Sequence, residues 1–154
     1  MKISTSYFYQ IRYFKPNMLP ISTAVWDPRW FHTGKNIGEY KDSHGVWNGI
    51  RMPILSPASL GNHLCDYPSK CKPEPCEFKR KYREYLFSLD FEDIYHKLEN
   101  LVAKFSEMEN LTEEPHLVLI VYETPNNPCS ERIALQELFN SHGISCNELE
   151  YPIQ

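Results

Sequence analysis

An uninterrupted apolar run in the C-terminal third constrains the fold more than any other feature of this sequence. Residues 117–122 read Leu-Val-Leu-Ile-Val-Tyr, and an apolar run without alternation is typical of a strand buried on both faces. Asn127 is suited to cap a helix that has Pro128 at its first position, and Gly143 to follow the last turn of that helix. A short strand at 144–149 completes a predicted βαβ unit, which indicates an α/β domain with a mainly parallel sheet.

The other elements are predicted from shorter patterns. We expect strands at residues 2–6, 20–25 and 46–55, and a short helix at 9–14. Apolar residues at helical spacing predict one helix from Glu77 and a second that Asp90 caps, with its apolar stripe in the core. A segment rich in proline and cysteine at 56–77 interrupts what is otherwise predicted to be one domain over residues 1–154.

Length, charge and hydropathy exclude several classes of protein. A chain of 154 residues is long enough to bury a core without disulfide staples. Its net charge of −4 argues against extended nucleic-acid binding, which needs a basic excess. No apolar run approaches the roughly 20 residues of a membrane span, and the first residues lack the apolar stretch of a signal peptide. We therefore expect a soluble cytoplasmic protein with reduced thiols, and the sequence does not determine its oligomeric state.

Several polar residues follow the predicted strands. Ligands of open parallel sheets gather outside the carboxyl ends of the strands. Ser6 ends the first predicted strand, Asp27 follows the second, and Glu123 follows the buried one. Cys129 lies near the start of the next helix, with Arg132 close behind. If the strands are parallel, we expect these residues to face one crevice, with Ser6, Asp27 and Arg132 as ligand-binding groups.

Glu123 and Cys129 are the candidate catalytic residues. A carboxylate at the end of an apolar strand is partly desolvated, which raises its pKa and suits it to act as acid, base or nucleophile. At the second position of a helix, Cys129 would have its thiol pKa lowered by free N–H groups and the helix dipole, although Glu131 opposes this effect. The alternatives are a glutamate bonded to its own loop and a small buried thiol that packs the helix start.

Three cysteines within a short proline-rich segment indicate a metal site. Thiolates bind zinc tightly, and prolines reduce the entropy lost when the ligands gather. Zinc is the first expectation and an iron–sulfur cluster the second, although the gaps between the cysteines exceed the usual spacing. Compactly packed thiols or a redox-sensitive pair are the alternatives, and Cys129 or Cys146 is an alternative fourth ligand. The predicted ligands are Cys65, Cys71, Cys76 and His63.

Aromatic residues are concentrated between positions 26 and 51. Side chains of this kind stack on nucleobases, and they also commonly pin a loop to the core. The aromatic residues are Trp26, Trp30, Phe31, Tyr40 and Trp47.

Both ends of the chain resemble a bacterial and phage family, domain-of-unknown-function family 488. Its members open with a strand of the kind seen at residues 3–8. Their C-terminal signature is an apolar strand ending in Cys-x-Glu, a short proline-bearing loop, and Cys-His-Arg at the start of a helix. Here the corresponding segments are 121–123, 124–128 and Cys129, and the interval of six from Glu123 to Cys129 is the same.

The sequence also departs from that signature. Val121 stands in place of the first cysteine, Ser130 in place of the histidine, and Arg132 lies one position later than the family arginine. The resemblance implies a single Rossmann-like domain and favours Glu123 and Cys129 as parts of a site, but it implies no particular activity.

Two hypotheses of function follow, with a thiol redox switch as a third. The first is an enzyme acting on nucleotides or nucleosides, because a helix N-terminus favours phosphate and the aromatic segment favours a base. The second is a metal-stabilised binding module without catalysis.

Overall fold

Five strands form one sheet in which every pairing is parallel. The structure is a computed structural model that describes residues 1–31, 49–60 and 76–153. The spatial order of the strands is β3-β2-β4-β1-β5. Their bounds are β1 Lys2–Tyr7, β2 Met18–Ser22, β3 Ile50–Arg51, β4 His116–Val121 and β5 Cys146–Glu148. The predicted α/β class with a mainly parallel sheet is confirmed.

Three α-helices flank the sheet. They are α1 (Glu77–Ser88), α2 (Phe91–Glu109) and α3 (Arg132–Ser141), and short 3-10 helices cover Phe8–Tyr13, Pro53–Leu55 and Pro57–Leu60. As predicted, α1 begins at Glu77. Within the described residues, no helix combines the length and the apolar composition needed to cross a bilayer.

Both helix ends that the sequence marks clearly are confirmed. The Asp90 carboxylate accepts a hydrogen bond from the Asp93 N–H at 3.3 Å and so caps α2. Gly143 has φ of 78°, a left-handed conformation that costs glycine little. The Ile144 N–H then donates to the Phe139 carbonyl at 3.0 Å, and the Gly143 N–H donates to the Asn140 carbonyl at 3.1 Å. These two bonds satisfy carbonyls that the end of α3 would otherwise leave free.

The predicted strand bounds need correction. The strand expected at 20–25 ends at Ser22, because the chain turns where the Thr23 N–H bonds to the Ile120 carbonyl at 3.0 Å. Of the strand expected at 46–55, residues 46–48 lie outside the described residues, and the rest reduces to 50–51 before Pro53 starts a 3-10 helix. The predicted start of the last helix at Pro128 is wrong, because α3 begins at Arg132.

The central strand β4 is buried on both faces, as its apolar run predicts. Leu117, Leu119 and Val121 pack on one face in the cluster to which the three α-helices contribute. Val118 and Ile120 pack on the other face, in a second cluster. That cluster includes the 3-10 helix after β1 and the segment after β2, through Phe8, Ile11, Phe14, Ala24 and Phe31. The connections that leave the neighbouring strands β1 and β4 therefore pass to opposite faces of the sheet.

Candidate active site

The carboxyl ends of β1 and β4 form the expected place for a ligand. These strands are neighbours, and the chain leaves them toward opposite faces, which opens a crevice of the kind where α/β sheets bind ligands. The two residues after β4 divide between the two faces. The Tyr122 ring contacts the Phe8 ring, with centroids 5.5 Å apart, whereas the Glu123 carboxylate accepts a hydrogen bond from Ser130 Oγ at 3.4 Å.

The loop between β4 and α3 is organised by two side-chain hydrogen bonds. Asn127 Oδ1 accepts from the Cys129 N–H at 2.9 Å, and Ser130 Oγ accepts from the Arg132 N–H at 3.3 Å. Local bonds of this kind favour turns over helix, so they delay the helix until Arg132. The signal was present in the sequence, because serine is a preferred residue just before a helix.

The new helix start changes the interpretation of Cys129. The residue is 3% exposed and lies in a turn three positions before α3. The prediction that Cys129 occupies the second helical position is therefore wrong. The helix dipole, on which its predicted activation depended, falls off within the first turn.

Glu131 is a buried carboxyl group that the sequence analysis did not select. It is 4% exposed, and its Oε2 has no hydrogen-bond partner among the described residues. Burial raises the pKa of Glu131 well above its usual value, the charge of Glu123 raises it further, and Arg132 opposes both. Its spacing was a usable signal, because Glu131 precedes the buried Leu135 and Leu138 by four and seven positions.

Arg132, a predicted ligand-binding residue, is a buried cation at this site. Its side chain is 5% exposed, and Nη2 donates a hydrogen bond to the Glu123 carbonyl oxygen. Nη1 lies 3.2 Å from Glu148 Oε2, an ion pair without hydrogen-bond geometry. Within the described parts of the chain, Nε also has no hydrogen-bond partner. The guanidinium therefore fixes the backbone of the Glu123 loop while part of its bonding capacity stays unused.

A polar network around Glu148 supports Arg132 from the β5 side. Glu148 Oε2 accepts from Thr5 Oγ1 at 2.8 Å, and Oε1 accepts from the Tyr151 hydroxyl at 2.7 Å. Ser6, another predicted ligand-binding residue, shares a hydrogen bond of 2.8 Å with the same hydroxyl. Burial raises the pKa of Tyr151 above its usual value. The contacts of Glu148 with Thr5 and of Tyr151 with Ser6 join residues far apart in sequence, and no local motif marks them.

Asp27 is engaged elsewhere on the same edge of the sheet. Its carboxylate accepts from Ser22 Oγ and from Arg51 Nη1, the latter at 2.9 Å. These bonds tie the segment after β2 to β3. In the described structure, none of its hydrogen bonds reaches Glu123, Ser130 or Arg132.

A groove of about 390 Å³ runs between α1 and the start of α3. Ser130 lines it, together with Tyr82 and Ala134. Ser130 Oγ also donates to Glu123, so the groove adjoins the loop that carries Glu123 on the side of the sheet covered by the α-helices. The Tyr82 hydroxyl, which is fully buried, donates to the Leu55 carbonyl.

The predicted metal site falls mostly outside the described residues. His63, Cys65 and Cys71 lie there, and only Cys76 is described, buried at the residue before α1. Over residues 1–31, 49–60 and 76–153, no three potential ligand side chains are gathered. Cys146, the alternative ligand, is buried in β5, and burial raises the pKa of its thiol to about 12. Zinc or iron–sulfur binding at this segment remains a prediction.

Comparisons with models of known protein families, with curated proteins and with solved structures found no match to this chain.

Proposed function

We propose that this protein is an enzyme that performs general acid–base catalysis on a nucleoside or nucleotide. Glu123 is the group that meets the substrate and accepts a proton. Glu131 is the acid that holds a proton until it is needed. The observation that carries the proposal is the contrast between the two carboxyl groups of one loop, since Glu123 is half-buried and Glu131 is almost fully buried.

That contrast is the usual basis for paired acid–base roles. Enzymes assign the roles of acid and base to two carboxyl groups by giving them environments that separate their pKa values. Burial favours the neutral form of Glu131, and the negative charge of Glu123 disfavours its ionisation further. In a hydrolysis of this type, the water oxygen forms a bond to the sugar carbon or the phosphorus atom while its proton passes to Glu123. The bond from that atom to the departing group breaks as Glu131 donates its proton to that group. The two transfers together conserve charge.

The position of Glu123 supports contact with a substrate. It follows the central strand β4 at the point where neighbouring connections diverge, and Ser130 joins it to the groove. Arg132 holds the Glu123 carbonyl oxygen, so the loop that carries the base is fixed before a substrate arrives. Preorganisation of this kind lowers the cost of positioning reacting groups.

The substrate class rests on Tyr122, the residue that precedes Glu123. The half-exposed Tyr122 ring and the Glu123 carboxylate lie on opposite sides of the crevice at the end of β4. A ligand that spans this crevice can therefore place a flat base against Tyr122 and its sugar or phosphate near Glu123. The start of α3 is unfavourable for the predicted phosphate, because the buried Glu131 carboxyl lies there.

The test is a panel of nucleosides and nucleotides incubated with the purified protein, with released base and released phosphate as separate readouts. We expect one product from the wild-type chain. We expect a loss of at least about a hundredfold in Glu123→Gln and Glu131→Gln, in line with removal of a general acid or base. The matched control is Glu84→Gln, an exposed carboxylate on α1 whose partner is Arg80.

Two results would overturn the proposal. One is turnover that survives unchanged in Glu123→Gln. The other is the absence of any product across the panel from a folded wild-type protein.

A further inference from the structure

An aromatic cluster lies on the face of the sheet opposite the α-helices. Phe8 is its centre and is 5% exposed. Three rings stand edge-on to it, Trp30 at 6.1 Å, Phe31 at 5.3 Å and Tyr122 at 5.5 Å between centroids. Their planes are inclined to that of Phe8 by 90°, 70° and 65°. Edge-on contacts are a favourable arrangement of aromatic rings, so they fix the rings of the cluster relative to one another.

Two of the three outer rings present area to solvent. Trp30 is 39% exposed and Tyr122 is 50% exposed, whereas Phe31 is buried. We call Trp30 and Tyr122 the aromatic shelf. A half-exposed ring on a buried ring is rigid, so it binds a flat partner with little loss of side-chain entropy.

One cation adjoins the shelf, although the chain as a whole is acidic. Arg29 is exposed and directly precedes Trp30 in the chain. The nearby Asp27 is already paired with Arg51. Lys15 does not contribute, because it lies with Glu113 and Glu150 at the amino ends of the strands. An anionic ligand on Trp30 can therefore use the charge of Arg29, and an uncharged flat ligand does not use it.

We infer that the aromatic shelf is a nucleobase-binding subsite whose ligand is a nucleotide. The base stacks on Tyr122 and Trp30, and Arg29 attracts the phosphate. Stacking on aromatic side chains tolerates any base, because every base has a flat π face. The inference takes its substrate class from the proposed function and adds the subsite and the preference for a charged nucleotide over a nucleoside.

The experiment is equilibrium dialysis with three probes, namely AMP, adenosine and ribose 5-phosphate. It compares the wild-type chain with Tyr122→Leu, Trp30→Leu and Phe87→Leu, after equal urea midpoints have shown that all four are folded. Phe87 is the matched control, because it is a 37% exposed aromatic ring on α1 that contacts Arg83, remote from the shelf. Turnover of nucleotides is measured on the same samples.

We expect wild-type protein to bind AMP more tightly than adenosine or ribose 5-phosphate. Each shelf variant weakens AMP binding about tenfold, the expected size for the loss of one stacking ring. Phe87→Leu leaves the AMP affinity unchanged. Ribose 5-phosphate, which has no base, binds both shelf variants as it binds the wild-type chain.

Three results overturn the inference. They are unchanged AMP affinity in both shelf variants, no saturable AMP binding by folded wild-type protein, and self-association that only the shelf variants lose. The last result assigns the shelf to a second copy of this chain. Turnover distinguishes the two proposals. If AMP affinity depends on the shelf but no turnover is found, only the acid–base function is contradicted. If turnover is found but AMP affinity does not depend on the shelf, only the shelf is contradicted.

Discussion

Two arginine–carboxylate pairs lie at the same edge of the sheet and differ in how fully they are bonded. At the end of β2 and β3, Arg51 donates to Asp27 at 2.9 Å and to the carbonyls of Ala24 and Val25 at 2.6 and 2.7 Å. At the end of β4 and β5, Arg132 lies 3.2 Å from Glu148 and bonds to one carbonyl. The Arg51 side chain is 26% exposed and the Arg132 side chain is 5% exposed, so the less satisfied arginine is the more deeply buried one.

This difference shows where the protein departs from ordinary structural chemistry. Buried polar groups are normally bonded, and exceptions concentrate at functional sites. The Arg51 pair is a structural tie that fixes the segment after β2. Among the described residues, four buried side-chain atoms have no hydrogen-bond partner. Three of them belong to the consecutive residues Glu131 and Arg132, where the loop after β4 meets α3, and the fourth is Asn17 Oδ1. This contrast is the main reason to place function at Glu123 rather than at Asp27.

The largest effect is expected from Arg132→Met. Removal of one partner from a buried ion pair leaves an uncompensated charge, here on Glu148, and typically costs about 3–5 kcal/mol of unfolding free energy. Urea denaturation measures the loss. Adding Glu148→Gln to the same chain should recover part of it. A loss below about 1 kcal/mol would show that Arg132 is no more costly to remove than an ordinary surface cation.

A smaller effect is expected from Arg51→Met. This change removes hydrogen bonds to a carboxylate and to two carbonyls from a partly exposed site, and we expect a cost of about 2 kcal/mol in unfolding free energy. Nucleotide turnover, measured on the same sample, should be unchanged. Loss of turnover in a stably folded Arg51→Met protein would indicate that Asp27 belongs to the active site. The two arginine–carboxylate pairs would then no longer differ in function.

The effect of Glu131→Gln depends on pH, and it is absent at low pH. Burial raises the pKa of Glu131 in the folded protein above that of the unfolded chain. Below about pH 4.3 both states are largely protonated, so the variant and the wild-type chain should be equally stable. Above that pH only the unfolded state ionises readily, and wild-type stability falls until the folded-state pKa is reached.

Urea midpoints across the pH range test this expectation. Glu131→Gln should become progressively more stable than the wild-type chain as pH rises, and Glu84→Gln should show no such trend. A Glu131→Gln protein that is less stable than the wild-type chain at neutral pH would indicate a Glu131 carboxylate that is ionised and bonded.

Much of the fold was predictable because its signals are local. The unbroken apolar residues of β4, the Asp90 cap and Gly143 each report a nearby steric or hydrogen-bonding requirement. The start of α3 was misjudged because two such signals compete there: Pro128 suits a helix, and the side chains of Asn127 and Ser130 favour turns.

The candidate site was only partly predictable. Glu123 was selected because it follows the apolar run of β4, and Arg132 because it lies three positions after the candidate Cys129. Glu131 was overlooked because it lies one residue before α3. It is buried because it continues the apolar face of that helix. Glu148 and Tyr151 reach the site through contacts with β1 and α3, across more than a hundred residues in the case of Thr5, and no local pattern reports such contacts.

The proposed function depends on a Glu131 side chain that still holds its proton at a pH where exposed glutamates are ionised. The most direct measurement is a titration of the glutamate side-chain carboxyl carbons by NMR, with the Glu131 signal assigned by its absence from Glu131→Gln. We expect this signal to titrate at a higher pH than the signals of the exposed glutamates. We also expect Glu123→Gln to lower the pKa of Glu131, because one of the charges that raise it is gone. A Glu131 signal that titrates with the exposed glutamates, and does not respond to Glu123→Gln, would contradict the proposed function.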